Sequence, residues 1–337
     1  MKNQEFALDM PFATPLDFAA AVSAPATVTG GLWFVYRGSE LLVRDLAGGD
    51  RLPLAADAGA LPGGLGPAIS QRQYLGTLAD THAWCAEAPA GTPAPEGWTW
   101  LGLRSLFGAL DDRCFALAGR ALQLVDWDRT HRHCGRCGTP TRPKPGERSR
   151  ECPACGLVAY PRIAPAVMAL VRRAPDEILL ARSPHFPQNM YSALAGFVEP
   201  GETLEQCIAR EVLEEVNLRV RVAHYFASQP WPFPHSLMIA FVCDWVAGEV
   251  RANPLEIEAA AWFDIRSLPR LPNRTQRRAA ADRRGRRGDG RGEALAASGR
   301  GRRRARRGLC RPGRRQPGAS TTRMSRLAAS PSTFNAA

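Results

Sequence analysis

The sequence predicts an α/β (α+β) protein in which a sheet carries a glutamate-rich helix. A four-cysteine module and a mixed N-terminal domain precede that sheet. Three observations carry this. Two apolar, β-rich runs flank a charged turn in "APAVMALVRRAPDEILLARS", and a third run follows in "SLMIAFVCDWV". Between the second and third lies "LEQCIAREVLEEV", whose apolar residues recur at helical spacing. Upstream, "GLWFVYRG" and "ELLVRDL" alternate with Gly/Pro-rich loops, the pattern of hairpins.

In chain order, residues 1–130 read as the mixed domain, ending in a helix over "FALAGRALQLVDWDRTH". Residues 131–160 form the cysteine module and residues 161–272 the sheet with its helix. From 273 to 337 the chain is nearly all Arg, Gly, Ala, Pro and Ser, which cannot bury enough apolar surface to fold. The expectation there is a disordered tail.

The formal charge of +12 on 337 residues suggests nucleic acid until its distribution is read. Residues 271–337 hold 19 Arg against three acids, so residues 1–270 are net −4. The basic character belongs to the tail alone. No apolar run approaches the roughly 20 residues of a membrane span, and charges and prolines interrupt "MKNQEFALDMPFATPLDF" before a signal-peptide core could form. A cytoplasmic protein with no membrane partner is expected.

Nine cysteines in a reducing compartment favour metal over disulfides. Cys134, Cys137, Cys152 and Cys155 have the spacing C-x2-C-x14-C-x2-C, with Gly after three of the four. Four thiolates close a tetrahedral shell around Zn²⁺ and leave no position for a reactive water, so the expected zinc is structural. The bland alternative is a group of core thiols, which is the reading for Cys85, Cys114, Cys207 and Cys243.

The helix raises a question of charge. Glu211, Glu214 and Glu215 lie within five residues, where like charges three and four apart repel by roughly 0.2–0.5 kcal/mol per pair. Thr203 and Gln206 fit a capping box, which starts the helix at Leu204. Glu211 and Glu215 are then one turn apart on a face expected to point to the surface, and Arg210 lies one turn before Glu214. A solvated acidic face is the simple reading; a site for hard cations is the other. The whole string decides between them. Gly196, Glu202, Arg210, Glu211, Val212, Glu214, Glu215 and Leu218 resemble the Nudix box at every defining position except one. Asn217 stands where the box has Gly, at a position after the helix that wants a left-handed backbone, which Asn tolerates best after Gly.

The resemblance implies a Nudix α/β/α sandwich that hydrolyses a diphosphate linkage. A second string, "SQPWPFPHS", has three prolines among nine residues and reads as a rigid, non-helical platform presenting Trp231 and Phe233, whose faces suit stacking on bases. With the box and the four cysteines it is similar to the signature of the NADH pyrophosphatase (NudC-type) family. The resemblance runs from about residue 100 to 272, with a looser N-terminal domain before it.

That resemblance implies substrate contacts at Gln229, Pro230, Trp231, Pro232, Phe233, Pro234, His235 and Ser236, and at Glu147, Tyr160 and Arg104. It implies Mg²⁺ or Mn²⁺ ligands at Glu211, Glu215 and Glu256, with Glu258 a rival to Glu256, and at the Ala195 carbonyl. Glu214 would orient water or metal, and Arg210 would hold the glutamates. The expected reaction is metal-assisted hydrolysis of NAD(H) to nicotinamide mononucleotide and AMP, and removal of NAD caps from RNA. A homodimer is expected from the family. The rivals are a broader Nudix hydrolase acting on ADP-ribose or dinucleoside polyphosphates, and a zinc-ribbon RNA-binding protein with an inert Nudix fold. Family members continue into a C-terminal helix. Here the pattern stops near Asn273, so a frameshift that replaced the true end is expected, against a genuine basic tail that recruits RNA.

Overall fold

The computed structural model describes residues 12–28, 30–45, 51–57, 65 and 69–271. The expected tail, its frameshift and the missing helix lie outside the described residues. No helix among the described residues is long and apolar enough to cross a membrane.

The N-terminal part is a seven-stranded sheet built from β1 (Phe18–Ala20), β2 (Gly30–Arg37), β3 (Glu40–Asp45), β4 (Arg51–Asp57), β5 (Ser70–Leu78), β6 (Thr81–Glu87) and β7 (Trp98–Gly102), in the order β1-β5-β6-β2-β4-β3-β7. The two quoted apolar runs are β2 and β3, joined as a hairpin with Tyr36 opposite Leu41. Gly38 in its turn has φ 61, a left-handed value suited to glycine. Helix α1 (Asp112–Thr130) follows. The Asp111 carboxylate accepts from the Arg113 and Cys114 N–H groups at its start, as an N-cap should. The Tyr36 hydroxyl donates to the Ala118 carbonyl at 2.8 Å, which fixes α1 on the sheet.

The cysteine segment forms a three-stranded sheet of β8 (Arg142–Pro143), β9 (Arg150–Glu151) and β10 (Val158–Ala159). It is fastened to what precedes it by a buried ion pair from Arg150 to Asp128 at 2.6 Å. Arg148 adds bonds to the Ala21 and Tyr74 carbonyls.

The third part is a six-stranded mixed sheet of β11 (Ala164–Ala174), β12 (Glu177–Arg182), β13 (Leu194–Phe197), β14 (Arg219–Trp231), β15 (Ser236–Ala247) and β16 (Ala259–Asp264). Its order is β14-β15-β11-β12-β16, with β13 also on β11. The three runs read from sequence are β11, β12 and β15; β13, β14 and β16 were not anticipated. Helix α2 (Leu204–Val216) covers one face with Cys207, Ile208, Val212 and Val216 against Val167, Ala169 and Leu194. The opposite face, with Ala166, Met168, Met238 and Ala240, shares one core with Phe115, Leu117 and Ala118 of α1. Among the described residues, that second layer of the expected sandwich is thus supplied from the N-terminal side.

Candidate functional site

Helix α2 begins as its capping box requires: the Gln206 N–H donates to Thr203 Oγ1 at 3.3 Å, and the Thr203 N–H donates to Gln206 Oε1 at 2.8 Å. It ends at Asn217 with φ 60 and ψ 33, the left-handed conformation expected where the box has glycine. The Asn217 side chain also donates to the Glu249 carbonyl at 3.3 Å, a bond glycine could not make.

Ile208, Val212 and Val216 form the stripe that faces the sheet. Glu211 and Glu215 each precede a stripe residue by one position, so they are turned partly inward. Here the structure corrects the surface-facing expectation: Glu215 is only 8 % exposed. Its Oε2 is buried without a hydrogen-bond partner. Burial, followed by the charges of Glu211, Glu256 and Glu214, pushes its carboxyl up from 4.5 to about 8. Glu211 is also raised by burial, against the opposing pull of Arg210.

Arg210 organises the cluster. Its Nε and Nη2 donate to the two oxygens of Glu202 at 2.6 and 2.9 Å, and Nη1 donates to Glu211 at 2.9 Å and Glu214 at 3.2 Å. Nη2 also reaches the Phe197 carbonyl at 3.0 Å, which ties α2 to β13. Hydrogen bonds from Arg210 and the Glu199 N–H hold Glu202 at about 2, so it stays ionised. Glu202 is a box position whose partner the sequence did not identify.

Strand β13 brings Ala195 opposite Met168 and Gly196 opposite Val167. A Cβ at Gly196 would stand 1.9 Å from the Glu211 carboxyl carbon, so only glycine lets Glu211 lie across this strand. Glu256 follows β15 in a loop and acts electrostatically on both Glu211 and Glu215. Its rival Glu258 is instead ion-paired with Arg182. A buried Glu215 with an orphaned oxygen, a half-buried Glu211 beside it and the charge of the exposed Glu256 acting on both make a donor set that suits a hard cation.

"QPWPFPHS" is the end of β14, a turn and the start of β15. Trp231 is 4 % exposed, packed edge-on against Phe12 and Phe233. The expected platform is corrected for this ring, which lies in the core shared with α1. Phe233 is half-buried, and the Arg104 guanidinium lies 4.2 Å from its ring centroid, so the fold brings Arg104 to this string. Gln229 is buried with both side-chain amide atoms unpartnered, and His235 Nδ1 is likewise orphaned. Pro230, Pro232, Pro234 and Ser236 complete the hairpin end.

The four cysteine sulfurs lie within 4.8 Å of one another. Three of the separations are 3.5, 3.6 and 3.7 Å, close to the roughly 3.8 Å edge of a tetrahedron with Zn–S of 2.3 Å. Both knuckles have one geometry: Gly138 and Gly156 donate to the Cys134 and Cys152 carbonyls, and Cys134 and Cys152 donate to the Thr139 and Leu157 carbonyls. His131 is engaged elsewhere, with its Nδ1 2.8 Å from the Trp127 carbonyl. Within this module Glu147 meets Tyr160 and Lys144. The Tyr160 hydroxyl, then Lys144 and Ser149, hold its carboxyl at about 2.

Three family models match the chain in sequence. The NADH pyrophosphatase-like rudimentary NUDIX domain covers residues 30–127, the NADH pyrophosphatase zinc ribbon domain 129–160, and the NUDIX domain 162–283. The NAD-capped RNA hydrolase NudC of Deinococcus radiodurans is 44% identical over 265 residues, 78% of this chain and 89% of that protein. The chain belongs to the NudC-type Nudix hydrolase family. A second member, from Chromobacterium violaceum, is 44% identical over 78% of this chain and 92% of its own length. Membership makes this chain a hydrolase with a zinc ribbon and a divalent-metal site.

Proposed function

We propose that this chain hydrolyses the pyrophosphate of NAD(H) to nicotinamide mononucleotide and AMP, and removes NAD caps from RNA 5′ ends by the same cleavage. The observation that carries this reading is the carboxylate face of α2, where Arg210 holds Glu211 and Glu214 and the charges of Glu211 and Glu256 act on the buried Glu215. Relatives of near-full-length similarity named as NAD-capped RNA hydrolases support the substrate.

Glu211, Glu215, Glu256 and the Ala195 carbonyl would hold Mg²⁺ or Mn²⁺. Such ions, when bound, neutralise pyrophosphate charge and lower the pKa of an attacking water. Arg210 fixes Glu211 and Glu214 in place from a guanidinium locked by Glu202, so the carboxylates do not swing to solvent. Glu214, half exposed and ion-paired with Arg210, would orient water. Burial on α2 excludes bulk water from Glu215 and strengthens every charge interaction there.

The exposed Arg104 and the half-buried Phe233 form a cation–π pair at the end of this string, and would offer a base a ring face and a guanidinium. Glu147 and Tyr160 lie on the zinc-ribbon side and supply a second set of polar contacts. The protein acts as a homodimer in this reading, as the family resemblance implies.

The test is hydrolysis of NADH, ADP-ribose and NAD-capped RNA, each with Mg²⁺ and with Mn²⁺. Preferential cleavage of NADH and capped RNA is expected. Equal or faster cleavage of ADP-ribose would replace the proposal with a broad Nudix diphosphatase.

A further inference from the structure

Glu256 sits in a loop that is fastened on both sides of it. On the near side, the Arg251 and Asn253 N–H groups donate to the Val216 and Glu215 carbonyls at 3.0 and 2.8 Å, so the loop hangs from the last turn of α2. The Glu256 and Ile257 N–H groups then return to the Asn253 carbonyl at 3.1 and 2.8 Å. On the far side, the Glu258 N–H donates to the Arg182 carbonyl at 2.8 Å. The Glu258 carboxylate is ion-paired with the Arg182 guanidinium. Between the two fastenings Ile257 is buried in the core beneath α2.

Such fastening answers a physical need. Three carboxylates brought together repel, and a loop free to move would carry Glu256 toward water whenever no cation is present. Arg182 ends β12, a strand whose Ile178, Leu179 and Leu180 are buried, and its own side chain is 16% exposed. It is therefore a fixed point, and its planar guanidinium sets direction as well as charge. Glu258, two residues from Glu256, transmits that position to the loop.

Resting on the reading of Glu256 as a metal ligand, we infer that Arg182, acting through Glu258, is a positioning residue that holds Glu256 against Glu211 and Glu215. The pair keeps Glu256 on the side of Glu211 and Glu215 while no cation is bound. Partners of this kind behind a ligand govern metal affinity by 10–100-fold in general.

The experiment is a Mn²⁺ titration followed by electron paramagnetic resonance on the full, zinc-loaded chain, with urea unfolding and NADH kinetics on the same samples. Arg182→Gln and Glu258→Gln are expected to weaken Mn²⁺ binding by roughly tenfold. Arg182→Lys should keep part of the affinity, and the KM for NADH at saturating Mn²⁺ should stay unchanged. The swapped pair Arg182→Glu with Glu258→Arg should recover binding relative to either single change. If Arg182→Gln does not fold, Glu258→Gln, at a side chain 46% exposed, carries the same test. Wild-type Mn²⁺ affinity in both Gln variants, with Glu256→Gln impaired, overturns the positioning role alone. Wild-type affinity in Glu256→Gln as well overturns the ligand reading beneath it.

Discussion

Glu215→Gln separates the two roles that burial gives this carboxylate. In the cation-free chain its pKa stands at about 8, against 4.5 for an ordinary glutamate. The folded state therefore binds a proton more tightly than the unfolded state does. Stability of the cation-free chain must fall as pH rises from about 4.5, and the loss levels off above about 8. The penalty is below about 1 kcal/mol at pH 5 and about 4 kcal/mol at pH 8, from 1.36 kcal/mol per pKa unit. Glutamine removes the charge and with it the pH dependence. Its own burial has a cost, but that cost is the same at both pH values and cancels in the comparison. Urea unfolding followed by tryptophan fluorescence, without added divalent ions and with zinc retained, should show a pH 5 to pH 8 stability loss smaller by about 3 kcal/mol in the variant. With Mn²⁺ present, NADH turnover should drop at least roughly 10²-fold, because a cation ligand is gone. Equal pH dependence in both proteins would refute the buried-charge argument, and near-normal turnover would refute the ligand assignment.

Two further outcomes follow from the geometry. Cys137→Ser should release the single zinc and lower the unfolding midpoint together, since β8–β10 is too small a sheet to hold without its metal; zinc retained at one per chain by elemental analysis would contradict this. Gly196→Ala should cut turnover at least roughly 10²-fold with little loss of stability, because the new Cβ would stand 1.9 Å from the Glu211 carboxyl carbon and displace that flexible side chain; unchanged kcat would mean that Glu211 does not lie across β13.

What the sequence determined by itself was local. The capping box at Thr203, the left-handed Asn217 and the paired cysteine knuckles each depend on a few consecutive residues whose hydrogen bonds close on themselves. The box string fixed the reaction class for the same reason, since its carboxylates and Arg210 sit within one short helix and the turn before it. Tertiary structure decided everything that depends on desolvation or on residues far apart in the chain. The burial of Glu215 arises from a one-position offset beside the apolar stripe of α2, and its raised pKa needs the sheet beneath and Glu256 opposite. The ion pair that engages Glu258 needs Arg182, about seventy residues upstream. Trp231 reads as a platform in sequence and is a core ring in the fold, because Phe12 and α1 cover it from more than a hundred residues away. Strands β13 and β16 lack a clean alternation of burial, and β14 alternates at its two ends but is broken between them by shifts in register; pairing with β11, β12 and β15 stabilises them as strands. Local hydrogen bonds leave a signature in spacing, whereas burial and charge coupling are properties of the neighbours that folding supplies.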